Sequence, residues 1–159
     1  MRIGVVSDSH GNLYMLDKAI SRMGDVDLII HLGDFYYDIL KVNEKYKKAV
    51  EYVVGNNEFV MNPIYDRIVV SGGKTIFITH GHKYGVYYGI DRLYFKAQEV
   101  QADIVLYGHT HIQSLVREGG MVFLNPGSVS RPRDSKAGYA VIEIDESGDI
   151  DVNLLRLDY

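Results

Sequence analysis

Pairs of metal-capable side chains occur in two short motifs of this sequence. Asp8 and His10 lie two residues apart in DSHG, and His109 and His111 do so in GHTH. Carboxylate oxygens and imidazole nitrogens bind divalent cations. On an extended chain, residues i and i+2 point to the same side, so we expect both members of each pair to reach one small volume.

Other residues of the same kind follow apolar runs. Asp34 follows LIIHLG, and Asn56 follows YVVG. TIFIT leads into His80 and His82. All six histidines stand at the end of such a run, and they are His10, His31, His80, His82, His109 and His111. Any one of these motifs alone is more typical of a turn or a helix cap. Together they favour a shared site with more donors than one tetrahedral ion needs, which suits two ions.

Short strands are the elements expected to position these side chains. Five runs rich in valine and isoleucine are typical of mostly buried strands, at residues 2–7, 27–32, 49–54, 75–80 and 103–107. Helices are predicted at 12–23, where Asn12 is a suitable N-cap, and at 38–49 and 90–102. Ligand sites in open α/β sheets form beyond the carboxyl ends of strands, so these strand ends are expected to converge.

The pattern changes after residue 112. Residues 112–128 predict a hairpin that turns at Gly119 and Gly120, and the last segment predicts another that turns at Ser147 and Gly148. We therefore expect an α/β first half and an antiparallel C-terminal third, in one domain over residues 1–159. Sheets with helices outside, in an α/β sandwich, fit this order of elements.

Composition and charge exclude several classes of protein. Apolar residues make up 47% of the chain, so a disordered or fibrous protein is not expected. The net charge is −4 without a lysine or arginine cluster, which gives no support to a nucleic-acid surface. The chain has no cysteine, which excludes thiolate metal sites. No apolar run is long enough for a membrane span or a signal peptide, so we expect a cytoplasmic protein. The sequence does not decide between a monomer and a homo-oligomer.

The motifs DSHG, LGD, GNNE, THGH and GHTH, in this order, resemble those of the calcineurin-like metallophosphoesterases. NPGSVSRPR, at 125–133, resembles the small bacterial and archaeal phosphodiesterase branch, to which the retromer's metallophosphoesterase-like subunit is related. The resemblance runs from Asp8 to about Arg133. It implies a four-layer αββα sandwich, with two mixed β-sheets flanked by helices. It also implies two divalent ions, of manganese, nickel, iron or zinc, and a small phosphate-ester substrate.

The resemblance further implies a role for each motif. One ion would be held by Asp8, His10 and His111, the other by Asn56, His80 and His109, and Asp34 would bridge the two. The implied activity is hydrolysis of a phosphate ester, most readily a diester, by in-line attack of a metal-bound hydroxide. The alternative is a protein-binding scaffold of the same fold with vestigial metal binding. A redox di-iron protein is disfavoured because the chain has no Glu-x-x-His pair.

Residues beside the ligands are the candidates for contact with substrate. Asn57 and His82 are predicted to hydrogen-bond phosphate oxygens or to orient ligands. Many members of the family have histidine where this chain has Asn57, so a proton donor for the leaving group is missing at that position. Arg131 and Arg133 could reach the phosphate or form surface ion pairs. The YGVYYG stretch, residues 84–89, suits a pocket rim and a protein interface equally well.

Overall fold

Two five-stranded sheets lie at the centre of the computed structural model, which describes residues 1–158. The strands are β1 (Arg2–Val6), β2 (Leu28–His31), β3 (Ala49–Tyr52), β4 (Asp66–Ser71), β5 (Lys74–Thr79), β6 (Ile104–Leu106), β7 (Gln113–Glu118), β8 (Met121–Pro126), β9 (Gly138–Ile144) and β10 (Ile150–Arg156). The helices are α1 (Leu13–Met23), α2 (Tyr37–Tyr46) and α3 (Asp91–Glu99), with a short 3-10 helix at His82–Tyr84. No helix within residues 1–158 has both the length and the hydropathy needed to cross a membrane.

Both sheets are mixed. The first has the strand order β10-β9-β1-β2-β3, in which β1, β2 and β3 are parallel. The second has the order β4-β5-β6-β8-β7, in which β5, β6 and β8 are parallel. The loops that carry the predicted ligands all follow parallel strands, so each sheet presents its ligands at the carboxyl ends of its strands.

The predicted four-layer αββα sandwich is confirmed by the packing of the apolar side chains. Ile3 and Ile30 of the first sheet belong to the same fully buried cluster as Ile78 and Leu106 of the second. A second cluster joins α1 and α2 to the outer face of the first sheet. A third joins α3 to the outer face of the second sheet. The two sheets therefore pack against each other, and the helices cover their outer faces.

The predicted helices form close to their expected bounds. Asn12 is the N-cap of α1, because its side chain accepts a hydrogen bond from the Met15 N–H at 3.1 Å. The spacing of the buried Leu16, Ala19 and Ile20 places one face of α1 on the sheet. The helices predicted at 38–49 and 90–102 end earlier, at Tyr46 and Glu99.

Two expectations about the strands are wrong in part, and one strand is not predicted. The strand expected at 49–54 ends at Tyr52 and is only partly buried, because β3 is the edge of its sheet. Apolar runs do not predict β4, which is also an edge strand and leaves Ile68 and Val70 51% and 74% exposed. Both predicted hairpins form, β7–β8 and β9–β10. The C-terminal third is not purely antiparallel, however, since β8 also pairs in parallel with β6.

Candidate metal centre

Four of the predicted ligands form one tight group. Asp8, His10, Asp34 and His111 each place a ligand atom within 4.8 Å of all the others. His10 Nε2 lies 3.4 Å from His111 Nε2 and 3.5 Å from Asp34 Oδ2. His111 Nε2 lies 3.1 Å from Asp8 Oδ1. Two carboxylates and two imidazoles in this volume could hold a divalent metal ion.

The other three predicted ligands meet around His80. Its Nε2 atom lies 3.1 Å from Asn56 Oδ1 and 3.3 Å from His109 Nδ1. The same atom lies 3.5 Å from Asp34 Oδ1. Asp34 thus turns one oxygen toward each group, which is the position that a bridging ligand requires. His109 and His111 contact different groups, as the resemblance implies.

Hydrogen bonds fix which nitrogen of His111 faces the first group. Its Nδ1 atom lies 2.6 Å from the Arg131 carbonyl oxygen, which can only accept, so Nδ1 carries the proton. The Nε2 lone pair of the neutral ring then faces Asp8 Oδ1, a completely buried oxygen that accepts no hydrogen bond. When the His111 ring is neutral, two acceptors this close repel each other unless both bind a cation. A proton on Nε2 or a metal ion can supply that positive charge, so this side of the site fits a metal ion.

The same argument applies independently to His80. Its Nδ1 atom donates to the Leu32 carbonyl oxygen at 2.7 Å. Its Nε2 lone pair therefore faces Oδ1 of the Asn56 side chain, which is also an acceptor. The second group thus has an acceptor–acceptor contact of its own, separate from the one at His111.

Electrostatics keep most of the donors in the protonation state that binds metal. Burial would raise the pKa of Asp8, but its hydrogen bond with His111 and its electrostatic interactions with His80 and His111 lower that pKa to about 2. Burial lowers the pKa of His10, and burial together with His80 lowers that of His109 to about 4. Burial would lower the pKa of His111, yet Asp8 raises it. A metal ion at His111 therefore competes with a proton for Nε2.

Most of the ligands sit in left-handed backbone conformations. Positive φ angles occur at Asp8 (55°), His10 (47°), Asp34 (58°), His109 (70°) and His111 (60°). The expectation that each i, i+2 pair lies on extended chain is therefore wrong, because both pairs lie in turns beyond the strands. Such conformations are uncommon for residues other than glycine and cluster at functional sites, where the surrounding structure holds them.

One glycine makes room for Asp34. A Cβ atom on Gly55 would lie 2.1 Å from Asp34 Oδ1 and 2.4 Å from the Asp34 backbone nitrogen. The loop after β3 can therefore approach Asp34 only without a side chain at this position.

Glu58 connects the loop after β2, which carries Asp34, to the loop after β3, which carries Gly55. Its carboxylate accepts hydrogen bonds from the backbone N–H groups of Asp34, at 3.1 Å, and of Tyr36 and Gly55. Burial raises the pKa of Glu58, while the backbone donors oppose that rise. The sequence shows Glu58 only as the last residue of GNNE and gives no hint of this role.

Glu58→Gln is expected to weaken metal binding by roughly 10–100-fold, as the loss of a residue that orients a metal ligand through hydrogen bonds commonly does. An amide replaces one acceptor oxygen with a donor, so it cannot accept all three N–H groups that fix Asp34. Competition with a chelator measures the affinity, and Glu99→Gln, on the exposed end of α3, is the matched control. Unchanged affinity in Glu58→Gln would show that Glu58 does not position Asp34.

The NPGSVS segment fixes two further ligand loops. Ser128 Oγ and Ser130 Oγ both donate to the Asp8 carbonyl oxygen, at 2.8 and 2.9 Å. The Asn125 side chain donates to the Gly108 carbonyl oxygen at 2.9 Å. The segment therefore positions the turns that carry Asp8 and His109.

His31 is not among the ligands. Gly33 N–H donates to its Nδ1 atom at 3.2 Å, so Nε2 carries the proton and donates to Ser9 Oγ at 3.0 Å. Ser9 Oγ donates in turn to Asp38 Oδ2, which also accepts the Gly11 N–H. Burial lowers the pKa of His31 to about 4, so it stays neutral and supports the turn around His10.

The two residues predicted beside the ligands differ in position. Asn57 lines the cavity described below, and its side chain donates to Asp34 Oδ2 at 2.6 Å, so it orients this ligand. His82 packs its ring at 5.5 Å from that of His80 and at 5.2 Å from that of Tyr65. It does not line the cavity, so a direct contact of His82 with substrate stays a prediction.

A cavity of about 410 Å³ opens over the ligands. Beside His10, Asp34, Asn56, Asn57, His109 and His111, it is lined by Tyr87, Arg131, Pro132 and Arg133. Within the YGVYYG stretch, Tyr87 forms part of the rim, and Tyr88 is almost fully exposed. The cavity thus joins the ligand cluster to two cationic side chains, which suits an anionic ligand.

Comparison with other proteins identifies relatives along most of the chain. Residues 1–147 match the calcineurin-like phosphoesterase superfamily domain. A probable metallophosphoesterase of Bacillus subtilis is 31% identical, over 91% of this chain and 85% of its own length. A phosphodiesterase of Methanocaldococcus jannaschii is also 31% identical, over 80% of this chain and 83% of its own.

Solved structures agree with these relatives. A predicted phosphoesterase of Streptococcus pneumoniae superposes with a TM-score of 0.82 at 35% identity, covering 98% of this chain and 88% of that one. Vps29 of Entamoeba histolytica, solved with zinc, gives a TM-score of 0.76 at 19% identity, covering 98% of this chain and 99% of that one. The likeness to Vps29 shows the fold alone. Since the family match includes every predicted ligand, the chain belongs to the calcineurin-like phosphoesterase superfamily.

Proposed function

We propose that the chain is a phosphodiesterase that depends on two divalent metal ions held by the seven clustered ligands. The observation that carries this proposal is the pair of acceptor–acceptor contacts on the two sides of Asp34. His111 Nε2 faces Asp8 Oδ1 at 3.1 Å, and His80 Nε2 faces Asn56 Oδ1 at 3.1 Å. Each contact is repulsive by itself and becomes favourable when a cation lies between its two atoms.

Divalent ions bound in such a site offset the charge of a phosphate and lower the pKa of water, which is the chemistry that ester hydrolysis requires. The residues of the chain would bind these ions and orient the side chains that hold them. Asp8 and Asp34 supply negative charge, and Asn57 and Glu58 hold Asp34 in place. The carbonyl oxygens of Leu32 and Arg131 fix the rings of His80 and His111.

A diester is favoured over an alkyl monoester by the side chain at position 57. An amide cannot protonate a leaving group, so Asn57 gives no help to esters whose leaving group is a strong base. The similarity to a phosphodiesterase of Methanocaldococcus jannaschii supports the same choice. The ligand set of carboxylates, imidazoles and one amide suits manganese, nickel, iron or zinc.

The alternative, a protein-binding scaffold with vestigial metal binding, has less support. A degraded site would lack ligands, whereas all seven positions carry competent donors and face one another. The likeness to Vps29, at 19% identity, extends to the fold alone.

Hydrolysis of bis(4-nitrophenyl) phosphate tests the proposal. The metal-free chain, reconstituted separately with each of the four metals, is expected to release nitrophenolate with at least one of them. Chelation and His111→Ala should each abolish the release. Equal activity in the chelated chain or in His111→Ala would contradict the proposed function.

A further inference from the structure

Two arginines at the mouth of the cavity have no acidic partner. Arg131 and Arg133 line the cavity, and neither takes part in an ion pair within residues 1–158. The next acid in the sequence, Asp134, is bound by Arg156 through hydrogen bonds of 2.9 and 2.7 Å. Both guanidinium groups are therefore available to an anion from solution.

The backbone that carries these arginines is tied to the metal centre. The Arg131 carbonyl oxygen accepts the His111 Nδ1–H at 2.6 Å, and the Arg133 N–H donates to the His111 carbonyl oxygen at 3.0 Å. Ser128 Oγ accepts the Arg131 N–H at 2.8 Å. Pro132, which also lines the cavity, restricts φ between the two arginines.

The Arg133 side chain is also held in place. Its Nη1 atom donates to Tyr87 Oη at 2.5 Å, and the Tyr87 hydroxyl donates to the His109 carbonyl oxygen at 3.1 Å. One guanidinium is thus positioned against the ligand loop that carries His109. Positions fixed in advance reduce the entropy that is lost when an anion binds.

The cavity has more room and more positive charge than one phosphodiester needs. Its volume of about 410 Å³ lies in the range of cavities that enclose a whole small ligand. Among residues 1–158, Asp34, a predicted ligand, is the only acid in its lining. A diester has one negative charge and two free oxygens, which metal ions held by the predicted ligands would engage. The two guanidinium groups then face whatever is attached to the scissile phosphate.

We propose that the substrate carries a second phosphate group close to the scissile phosphodiester, and that Arg131 and Arg133 bind this second phosphate. The inference rests on the proposed function. Guanidinium is suited to this role because its N–H groups match two phosphate oxygens at once.

Two esters with the same leaving group test this proposal: thymidine 5′-(4-nitrophenyl phosphate), and the same compound with a 3′-phosphate. The reconstituted wild type is expected to show about tenfold higher kcat/KM for the 3′-phosphorylated ester, through a lower KM, as charged hydrogen bonds commonly provide. The double variant Arg131→Met/Arg133→Met should lose this preference, so that the ratio of its kcat/KM values for the two esters falls to about one. Arg22→Met, on the exposed last turn of α1, is the matched control and should keep the preference.

Hydrolysis of both esters with equal KM by the wild type would overturn the inference and leave the proposed function standing. A preference that survives in the double variant, or that is lost equally in Arg22→Met, would also overturn it. Absence of any hydrolysis would instead contradict the proposed function.

Binding to the metal-free chain tests the same arginines without turnover. Calorimetry is expected to show tighter binding of thymidine 3′,5′-bisphosphate than of the 5′-monophosphate in the wild type, and equal binding of the two in the double variant. Equal affinity in the wild type would overturn the inference whether or not the esters are hydrolysed.

Discussion

Asp34→Asn is expected to lower the hydrolysis of bis(4-nitrophenyl) phosphate by at least ~100-fold and to weaken metal binding at both groups of ligands. Asp34 is the predicted ligand whose two oxygens face different partners, His10 at 3.5 Å and His80 at 3.5 Å. The substitution removes a negative charge from between the expected cations. It also replaces an acceptor with an amide donor that would point at one of them.

The variant is compared with Asp91→Asn, which makes the same change at the exposed start of α3. Metal affinity, from chelator competition, and activity are measured on both proteins, and thermal unfolding shows whether each is folded. Activity of a folded Asp34→Asn within a few-fold of wild type would show that Asp34 is not the bridging ligand.

The wild-type rate is expected to fall steeply as the leaving group becomes more basic, and Asn57→His is expected to make this dependence shallower. Asn57 donates to both oxygens of Asp34, through its side chain at 2.6 Å and its backbone N–H at 3.0 Å, and has no proton to give a leaving group. A titratable donor at this position should raise the rate on poor leaving groups by up to ~100-fold, within the usual range for general-acid catalysis.

A plot of log rate against leaving-group pKa measures this effect in the wild type and in Asn57→His. Asn57→Ala separates the loss of the hydrogen bond to Asp34 from the gain of an acid, because it removes the first without adding the second. His82→Ala tests whether His82 already supplies the proton. If it does, the plot for His82→Ala has a steeper slope than the plot for the wild type. A flat wild-type line that Asn57→His leaves unchanged would contradict the missing-acid argument.

The apolar runs of the sequence predict the buried strands better than the edge strands. β1, β2, β5 and β6 each contain a run of buried, mostly apolar residues, because sheet and helix layers cover both their faces. β4 alternates between exposed and partly buried residues, so a search for apolar runs misses it. The Gly72-Gly73 pair, which separates the β-branched residues of IVVS from the run KTIFIT and so predicts a hairpin, is the signal that could have identified it.

The sequence predicts which side chains come together at this site, but it does not predict the contacts that hold them there. The resemblance places Asp8 and His111 in one group, and the structure brings them to 3.1 Å. The residues that hold Asp8 are far away in the chain, since Ser128 and Ser130 are 120 and 122 positions from it. Left-handed backbone at the ligands likewise depends on contacts between loops. Local patterns carry no information on contacts of this kind.

The metal content of the reconstituted chain at saturation tests the binuclear centre most directly. Metal-free protein is titrated with Mn²⁺, free ion is removed, bound metal is counted by elemental analysis, and hydrolysis of bis(4-nitrophenyl) phosphate is followed on the same samples. Seven donors with two separate acceptor–acceptor contacts predict close to two ions per chain, and activity that rises until the second ion is bound. A reproducible content of one ion per chain at saturation, with full activity, would contradict a binuclear centre.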